Sequence, residues 1–279
     1  MTLKKELHGL LGMKELSMVP SSFDILGNRE KSVAIIDIPD SLKGKKLLIA
    51  EALMRKHKSV KSVLMRMSAR KGVFRNREYE LIAGDSDTEV MHMESGCRFL
   101  VDPQACYFSQ RESTERLRIA GKVKKGETVM VFFSGVGPFQ IVIAKKSKAG
   151  KVIGIELNDK AVYYSRENAR LNRLENAETV FGDARHESAR FHGKCDRVVM
   201  PLPESGIEFL EDAAKCLKSK GTIHFYCFVS EKNAKEVKEK ALGRVKNLGY
   251  HAEITETKKV LPYGPRIWKT RLDILVRKR

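Results

Sequence analysis

The spacing of hydrophobic and polar residues changes after residue 103. Up to that point, short apolar stretches of mixed period predict an N-terminal amphipathic helix followed by a compact α+β unit. Its predicted helices cover 1–18 and 42–57, and its predicted strands cover 32–38, 62–67, 78–83 and 88–94, with a basic loop at 68–77. We expect 1–17 to form a helical segment and 18–103 a small domain.

Beyond residue 103, short apolar strands alternate with amphipathic helices. Predicted strands cover 128–133, 152–157, 177–181, 197–200 and 222–229, predicted helices cover 114–123, 139–146, 160–172, 207–217 and 231–248, and a strand pair at 251–260 and 267–276 follows. This alternation is typical of an α/β fold with a doubly wound, mostly parallel sheet. We assign it to a second domain over 104–279.

Composition and the lengths of the apolar stretches argue against three classes of protein: disordered, membrane-spanning and secreted. Hydrophobic residues make up 42% and charged residues 32% of the 279 positions, which favours a globular core over disorder. The longest apolar stretches, 129–133 and 225–229, are much shorter than the ~20 residues of a membrane-spanning helix. Charged residues also interrupt 1–18, where a secretion signal needs an apolar core. We expect a cytoplasmic protein that does not contact membranes.

The charge is strongly positive, at +18, and it is clustered. Residues 52–77 contain nine basic and no acidic residues, and 258–279 contain eight basic residues against Asp273 alone. Such stripes are typical of nucleic-acid binding. Composition alone also fits a solvated basic surface.

The five cysteines form no C-x-x-C pair, and no histidine pair stands near them. We therefore expect neither a metal site nor disulfides, and a reducing compartment.

A glycine turn follows the first strand of the second domain, where Gly135 and Gly137 lie in 133–139 (FSGVGPF). Glycines allow a backbone to approach a nucleotide closely, and this turn falls at the ligand-binding edge of a doubly wound sheet. Glu156 ends the next strand about 20 residues on, where an acid can accept hydrogen bonds from ribose hydroxyls. An adenosine cofactor is therefore indicated.

S-adenosylmethionine is favoured over a dinucleotide for two reasons. Gln140 replaces the third glycine of the dinucleotide motif, and Asp183 provides a second acid after the third strand, suited to an adenine amino group. Asp183 could equally cap a helix.

Several segments together carry a family resemblance. They are 107–111 (YFSQR), 113–120 (STERLRIA), 133–139, 155–158 (IELN), 182–185 (GDAR) and 197–203 (RVVMPLP), with 22–27 (SFDILG) and 72–77 (GVFRNR) in the first domain. The combination resembles the archaeal and eukaryotic tRNA (guanine-N1)-methyltransferases that act on position 37. A sister family of similar fold transfers the aminocarboxypropyl group of the same cofactor in wybutosine synthesis.

The resemblance implies a monomeric, Rossmann-like class I AdoMet-dependent methyltransferase domain joined to a small α+β domain, with tRNA as partner and S-adenosylmethionine as cofactor. It implies that Glu115 is the general base at guanine N1 and that Arg75 stabilises charge on O6. Glu115 could instead be a surface acid paired with Arg118 or Arg111, and Arg75 a phosphate contact. The cofactor-binding residues are expected to be Tyr107, Arg116, Phe133, Gly135, Gly137, Glu156, Asn158, Asp183 and Pro201.

The sequence departs from the family pattern at Pro201, where an asparagine is usual, and at Val131, where an acid is usual. Only about 17 residues precede the small domain, whereas longer members carry an extra tRNA-gripping domain. Three hypotheses therefore compete: transfer of methyl to guanosine 37 of tRNA, a transfer reaction of the wyosine pathway, and a non-catalytic RNA-binding protein on the same fold.

Overall fold

The structure is a computed structural model that describes residues 3–67 and 78–278. It divides into two compact units, Met1–Phe108 and Ser109–Arg279. The predicted basic loop at 68–77, with Arg75, lies outside the described residues. No described helix is long and apolar enough to span a membrane.

The first unit contains a mixed four-stranded sheet and a two-stranded hairpin. Its elements are helices α1 (Leu3–Glu6), α2 (Met13–Met18) and α3 (Lys46–Lys56), and strands β1 (Phe23–Gly27), β2 (Ser32–Ile36), β3 (Val60–Arg66), β4 (Tyr79–Gly84), β5 (Val90–Glu94) and β6 (Cys97–Val101). The sheet has the order β1-β2-β3-β4, in which only β2 and β3 are parallel, and β5 pairs with β6.

The prediction of one helix over 1–18 is wrong. Gly9 has a φ of +83°, which ends the helical path, and Gly12 caps a second, separate helix. The leucines of the predicted apolar face still serve one purpose, because Leu3, Leu7 and Leu11 are buried in the core that α3 forms with the sheet.

The second unit is built on a seven-stranded sheet. Its strands are β7 (Thr128–Phe132), β8 (Lys151–Glu156), β9 (Ala177–Phe181), β10 (Cys195–Met200), β11 (Leu217–Ser230), β12 (His251–Gly264) and β13 (Ile267–Arg277). Its helices are α4 (Ser113–Lys122), α5 (Pro138–Lys146), α6 (Asp159–Leu171), α7 (Ala184–Glu187), α8 (Leu210–Cys216) and α9 (Ala234–Lys246).

The order of this sheet is β12-β13-β11-β10-β7-β8-β9, and β7 to β11 are parallel. β13 runs antiparallel to both of its neighbours. The predicted α/β class with a mostly parallel sheet is confirmed. Because the strands are parallel, the carboxyl ends of β7 to β11 lie at one edge.

The basic stretch at the C-terminus is partly internal. Lys269 and Arg271 on β13 are buried, and each contacts carboxylates within the second unit. A buried charge is tolerated only when it is paired and hydrogen-bonded. These two cations of the basic stretch at 258–279 are therefore used inside the second unit and do not face a nucleic acid.

Candidate active site

The turn after β7 is held in an unusual backbone conformation. Phe133, Gly135 and Gly137 have φ values of +54°, +56° and +84°. A side chain on Gly137 would place its Cβ 2.8 Å from the Ser165 hydroxyl oxygen, so this position accepts only glycine without a shift. The turn therefore presents bare backbone in front of α5, as an adenosine cofactor requires.

Glu156 is tied directly to this turn. Its carboxylate accepts the Gly135 N–H at 2.7 Å through one oxygen and the Asn158 N–H at 2.8 Å through the other. Removal from water raises the pKa of Glu156, and the N–H groups of Asn158 and Gly135 oppose that rise. The predicted pair of glycine turn and acid is thus one connected structure at the carboxyl edge.

Asn158 and Asp183 both cap helices. The Asn158 side chain accepts the Lys160 N–H at 3.1 Å, and Asp183 accepts the Arg185 N–H at 2.8 Å. Asp183 is half-buried and follows β9 at the same edge as Glu156. The capping alternative for Asp183 is therefore correct, while its contact with a cofactor remains a prediction.

Gln140 explains how this turn differs from a dinucleotide motif. Its fully buried amide donates to the Glu178 carbonyl at 2.8 Å and to the Thr179 hydroxyl at 3.1 Å, and its oxygen accepts from Ser165 at 3.1 Å. Opposite it, a Cβ on Gly154 would lie 2.3 Å from the Gln140 oxygen. The helix is therefore joined to the sheet by polar contacts, with the small residue placed on β8 instead of on α5.

Aromatic side chains lie next to the turn. The Phe133 ring meets Phe209 edge-on at 4.8 Å between centroids, and the Arg185 guanidinium lies 4.6 Å from the Phe209 centroid. Pro201, directly after β10, is half-buried at the same edge. Phe133 and Pro201 therefore occupy the edge where the sequence places them.

Glu115 is buried and surrounded by donors. One carboxylate oxygen accepts the Tyr226 O–H at 2.8 Å and a guanidinium N–H of Arg271, and the other accepts from Arg118. Burial, reinforced by the charge of Glu115, raises the pKa of Tyr226, so the phenol keeps the proton that it donates. The pairing with Arg118 is present, but Glu115 is not a surface acid.

The network continues along β11 and β13. Arg271 also binds Asp273 at 2.7 Å, and Asp273 contacts His224 at 2.6 Å. Burial works against the charge of Arg271, but Glu115 and Asp273 together raise its pKa. Arg271, Tyr226 and His224 were not predicted from the sequence. The one indication was that Lys269, Arg271 and Asp273 alternate with other residues in a largely apolar strand, as a buried charged pair would.

The remaining predicted residues lie in different parts of the chain. Arg116 is buried on α4, where its guanidinium donates to the Ser109 carbonyl and lies 5.9 Å from the Phe139 ring centroid. Tyr107 is half-buried within the first unit. In the part of the chain that the structure describes, no group of three or more potential ligands could hold a metal ion.

The sheet order and the glycine turn tied to Glu156 define a class I AdoMet-dependent methyltransferase fold. The chain belongs to the TRM5/TYW2 methyltransferase family: the TRM5/TYW2 methyltransferase domain matches residues 90–255, and the TYW2 N-terminal domain matches residues 3–88. The family predicted from the sequence is confirmed.

Similar proteins come from both branches of this family. The tRNA (guanine(37)-N(1))-methyltransferase Trm5b of Pyrococcus abyssi is 38% identical over 259 residues, which cover 92% of this chain and 76% of the relative. Its crystal structure superposes with a TM-score of 0.85 and 37% identity, covering 96% of this chain and 79% of that one.

Two further solved structures carry ligands. The complex of aTrm5 with tRNALeu has a TM-score of 0.83 and 29% identity, covering 99% of this chain and 78% of that one. TYW2 of Pyrococcus horikoshii in complex with MeSAdo has a TM-score of 0.85 and 28% identity, covering 99% of this chain and 98% of that one.

Proposed function

We propose that this protein is a tRNA methyltransferase that uses S-adenosylmethionine to methylate N1 of guanosine 37, the nucleotide 3′ of the anticodon. The observation that carries the proposal is a pair of carboxylates in the second unit: Glu156, bound to the glycine turn, and Glu115, buried on α4. Similarity to Trm5b over 92% of the chain supports guanosine 37 as the target.

The cofactor fits the residues at the carboxyl edge. Gly135 and Gly137 would let the cofactor come close to the protein backbone, and Glu156 would accept hydrogen bonds from the ribose hydroxyls. Asp183 would face the adenine, with Tyr107, Arg116, Phe133, Asn158 and Pro201 as the further binding residues that the family resemblance implies. S-adenosylmethionine, when bound, supplies the electrophilic methyl group.

Glu115 would accept the proton that leaves N1 as the N1–methyl bond forms. Its two oxygens are not equivalent. Arg271 and Tyr226, on one oxygen, are fully buried, whereas Arg118, on the other, keeps 34% of its side chain exposed. We infer that Arg118 moves away when the guanine enters, so that the second oxygen can receive the proton while the first remains fixed. Arg75 would neutralise the charge that develops on O6.

The second candidate is a transfer reaction of the wyosine pathway. It is favoured by the match of residues 3–88 to the TYW2 N-terminal domain and by Pro201, which lacks the amide usual in the methyltransferases. A cytoplasmic location and a monomeric state remain predictions.

Incubation of the protein with an unmodified tRNA transcript and S-adenosylmethionine, followed by mass spectrometry of the nucleosides, tests the proposal. We expect N1-methylguanosine, and a transcript that gains no methyl group at guanosine 37 would refute it. In single-turnover assays, Glu115→Gln should slow transfer by about 10²–10⁴-fold with little change in cofactor affinity. The exposed Glu175→Gln is the matched control and should react at the wild-type rate.

A further inference from the structure

An aromatic pair lies at the carboxyl edge of the second unit, apart from the glycine turn and from the residues that contact Glu115. Phe228, near the end of β11, and Tyr263, near the end of β12, are stacked with ring centroids 3.8 Å apart and an interplanar angle of 29°. Phe228 is half-buried, but 57% of Tyr263 is exposed. The half-buried Phe228 ring thus holds the Tyr263 ring in place, while the Tyr263 ring remains open to solvent.

The position of this pair is set by the pleat of β11. Side chains two residues apart lie on the same face of a strand and are ~7 Å apart along it. Phe228 therefore follows Tyr226 on the face that carries Glu115, because Tyr226 donates to the Glu115 carboxylate at 2.8 Å. Phe228 thus lies one such step along β11 from Tyr226, the hydrogen-bond donor to the proposed general base, and toward the edge of the sheet that holds the glycine turn.

The surrounding charge favours an anionic partner. The hairpin formed by β12 and β13 has no acidic residue from 257 to 272, and it carries the exposed cations Lys258, Lys259 and Arg266. Exposed aromatic rings next to cations are how proteins hold unpaired nucleotides, because the ring stacks on a base while the cations neutralise phosphate.

We propose that the Phe228–Tyr263 pair is a stacking platform for an unpaired nucleobase of the RNA substrate. The inference rests on the proposed action on RNA and adds to it a binding site on the β12–β13 hairpin. The occupant is a base at or next to the methylation target, since Phe228 is two residues along β11 from Tyr226, which contacts Glu115.

Binding of a fluorescent anticodon stem-loop, followed by anisotropy, tests the platform. Tyr263→Leu should raise Kd by roughly 5- to 150-fold, the equivalent of ~1–3 kcal/mol per stacked base. Tyr263→Phe keeps the ring and should bind like the wild type. Tyr163→Leu is the matched control, because Tyr163 on α6 is 58% exposed but lies away from the hairpin, and it should leave Kd unchanged.

Abasic RNAs identify the occupant. The stem-loop is prepared with an abasic site at the target or at either neighbour. At the stacked position, the abasic site should weaken binding to the wild type and abolish the additional loss caused by Tyr263→Leu. Additive losses at all three positions, or a Tyr263→Leu variant that binds as tightly as the Tyr163→Leu control, would overturn the platform.

Failure of the platform is distinguishable from failure of the proposed function. Methylation of guanosine 37 without coupling between Tyr263 and any abasic site refutes the platform alone. If Tyr263→Leu is coupled to one abasic site but the protein forms no N1-methylguanosine, the platform is supported and the proposed reaction is refuted.

Discussion

Replacing Glu156 tests whether the turn after β7 binds the cofactor. Glu156→Ala removes a carboxylate whose two oxygens each accept one backbone N–H, from Gly135 at 2.7 Å and from Asn158 at 2.8 Å. If the carboxylate also accepts from the ribose, the substitution deletes at least one charge-assisted hydrogen bond to the cofactor, worth ~1.5–3 kcal/mol. We expect Kd for S-adenosylmethionine to rise by about 10- to 150-fold.

Glu156→Gln separates binding from support of the turn. A glutamine has one acceptor oxygen, so it can satisfy only one of the two backbone donors and leaves its amide facing the other. We therefore expect a loss of affinity for this variant as well. Glu178→Ala is the matched control, because Glu178 is exposed on the neighbouring strand and pairs with Lys151 at the surface.

Isothermal titration calorimetry measures Kd for S-adenosylmethionine in both variants. Repeating the titration at several pH values also tests the predicted direction in which affinity changes with pH. Because removal from water raises the pKa of Glu156, wild-type affinity should begin to fall at a higher pH on acidification than with an ordinary glutamate. Glu156→Gln should lack this dependence. Wild-type affinity in Glu156→Ala, with a normal melting temperature, would remove Glu156 from the cofactor site.

Two further predictions concern packing and thiol chemistry. Gly154→Ala should lower the free energy of unfolding in urea by about 1–3 kcal/mol, because its Cβ would lie 2.3 Å from the Gln140 oxygen and 2.7 Å from the Ser134 hydroxyl. The control is Gly121→Ala on α4, which should be neutral or stabilising because its Cβ would have no atom within 4 Å. Equal changes in the free energy of unfolding for the two variants would contradict the packing argument. Burial raises the pKa of Cys195, Cys216 and Cys227 to about 12, so at pH 8 only about one of these thiols in 10⁴ is ionised. The three cysteines should therefore react with a disulfide reagent only after denaturation. Rapid labelling of these cysteines in the native protein would show that they are accessible.

The parts of the fold that follow from local pattern were predictable. The alternation of strands and helices predicted the parallel sheet, and Gly135, Gly137 and Glu156 were placed together because successive parallel strands end at one edge. β1 and β6 were not predicted; β1 contains Asp24 and Gly27, two residue types that are depleted in strands. The long extension of β12 to Gly264 was missed because Pro262 is a residue that strands usually exclude.

The environment of Glu115 could not have been predicted, because it depends on contacts between residues more than 100 positions apart. Arg271 and Tyr226 reach Glu115 only after β13 has paired antiparallel with β11, which places Arg271 directly opposite Tyr226. An amphipathic pattern gives α4 a buried face but does not say what that face meets.

The burial of Glu115 connects the stability of the second unit with the chemistry proposed for it. An unpaired carboxylate at this depth would be costly, so α4 can pack on the sheet only when Arg271 and Tyr226 are in place. The same two contacts fix one oxygen of the carboxylate and leave Arg118 as the single partner of the other within the described network. A general base needs a fixed position and one accessible lone pair. For Glu115 as the proposed general base, the pairing of β11 with β13 would provide the position, and the partial exposure of Arg118 would provide the access.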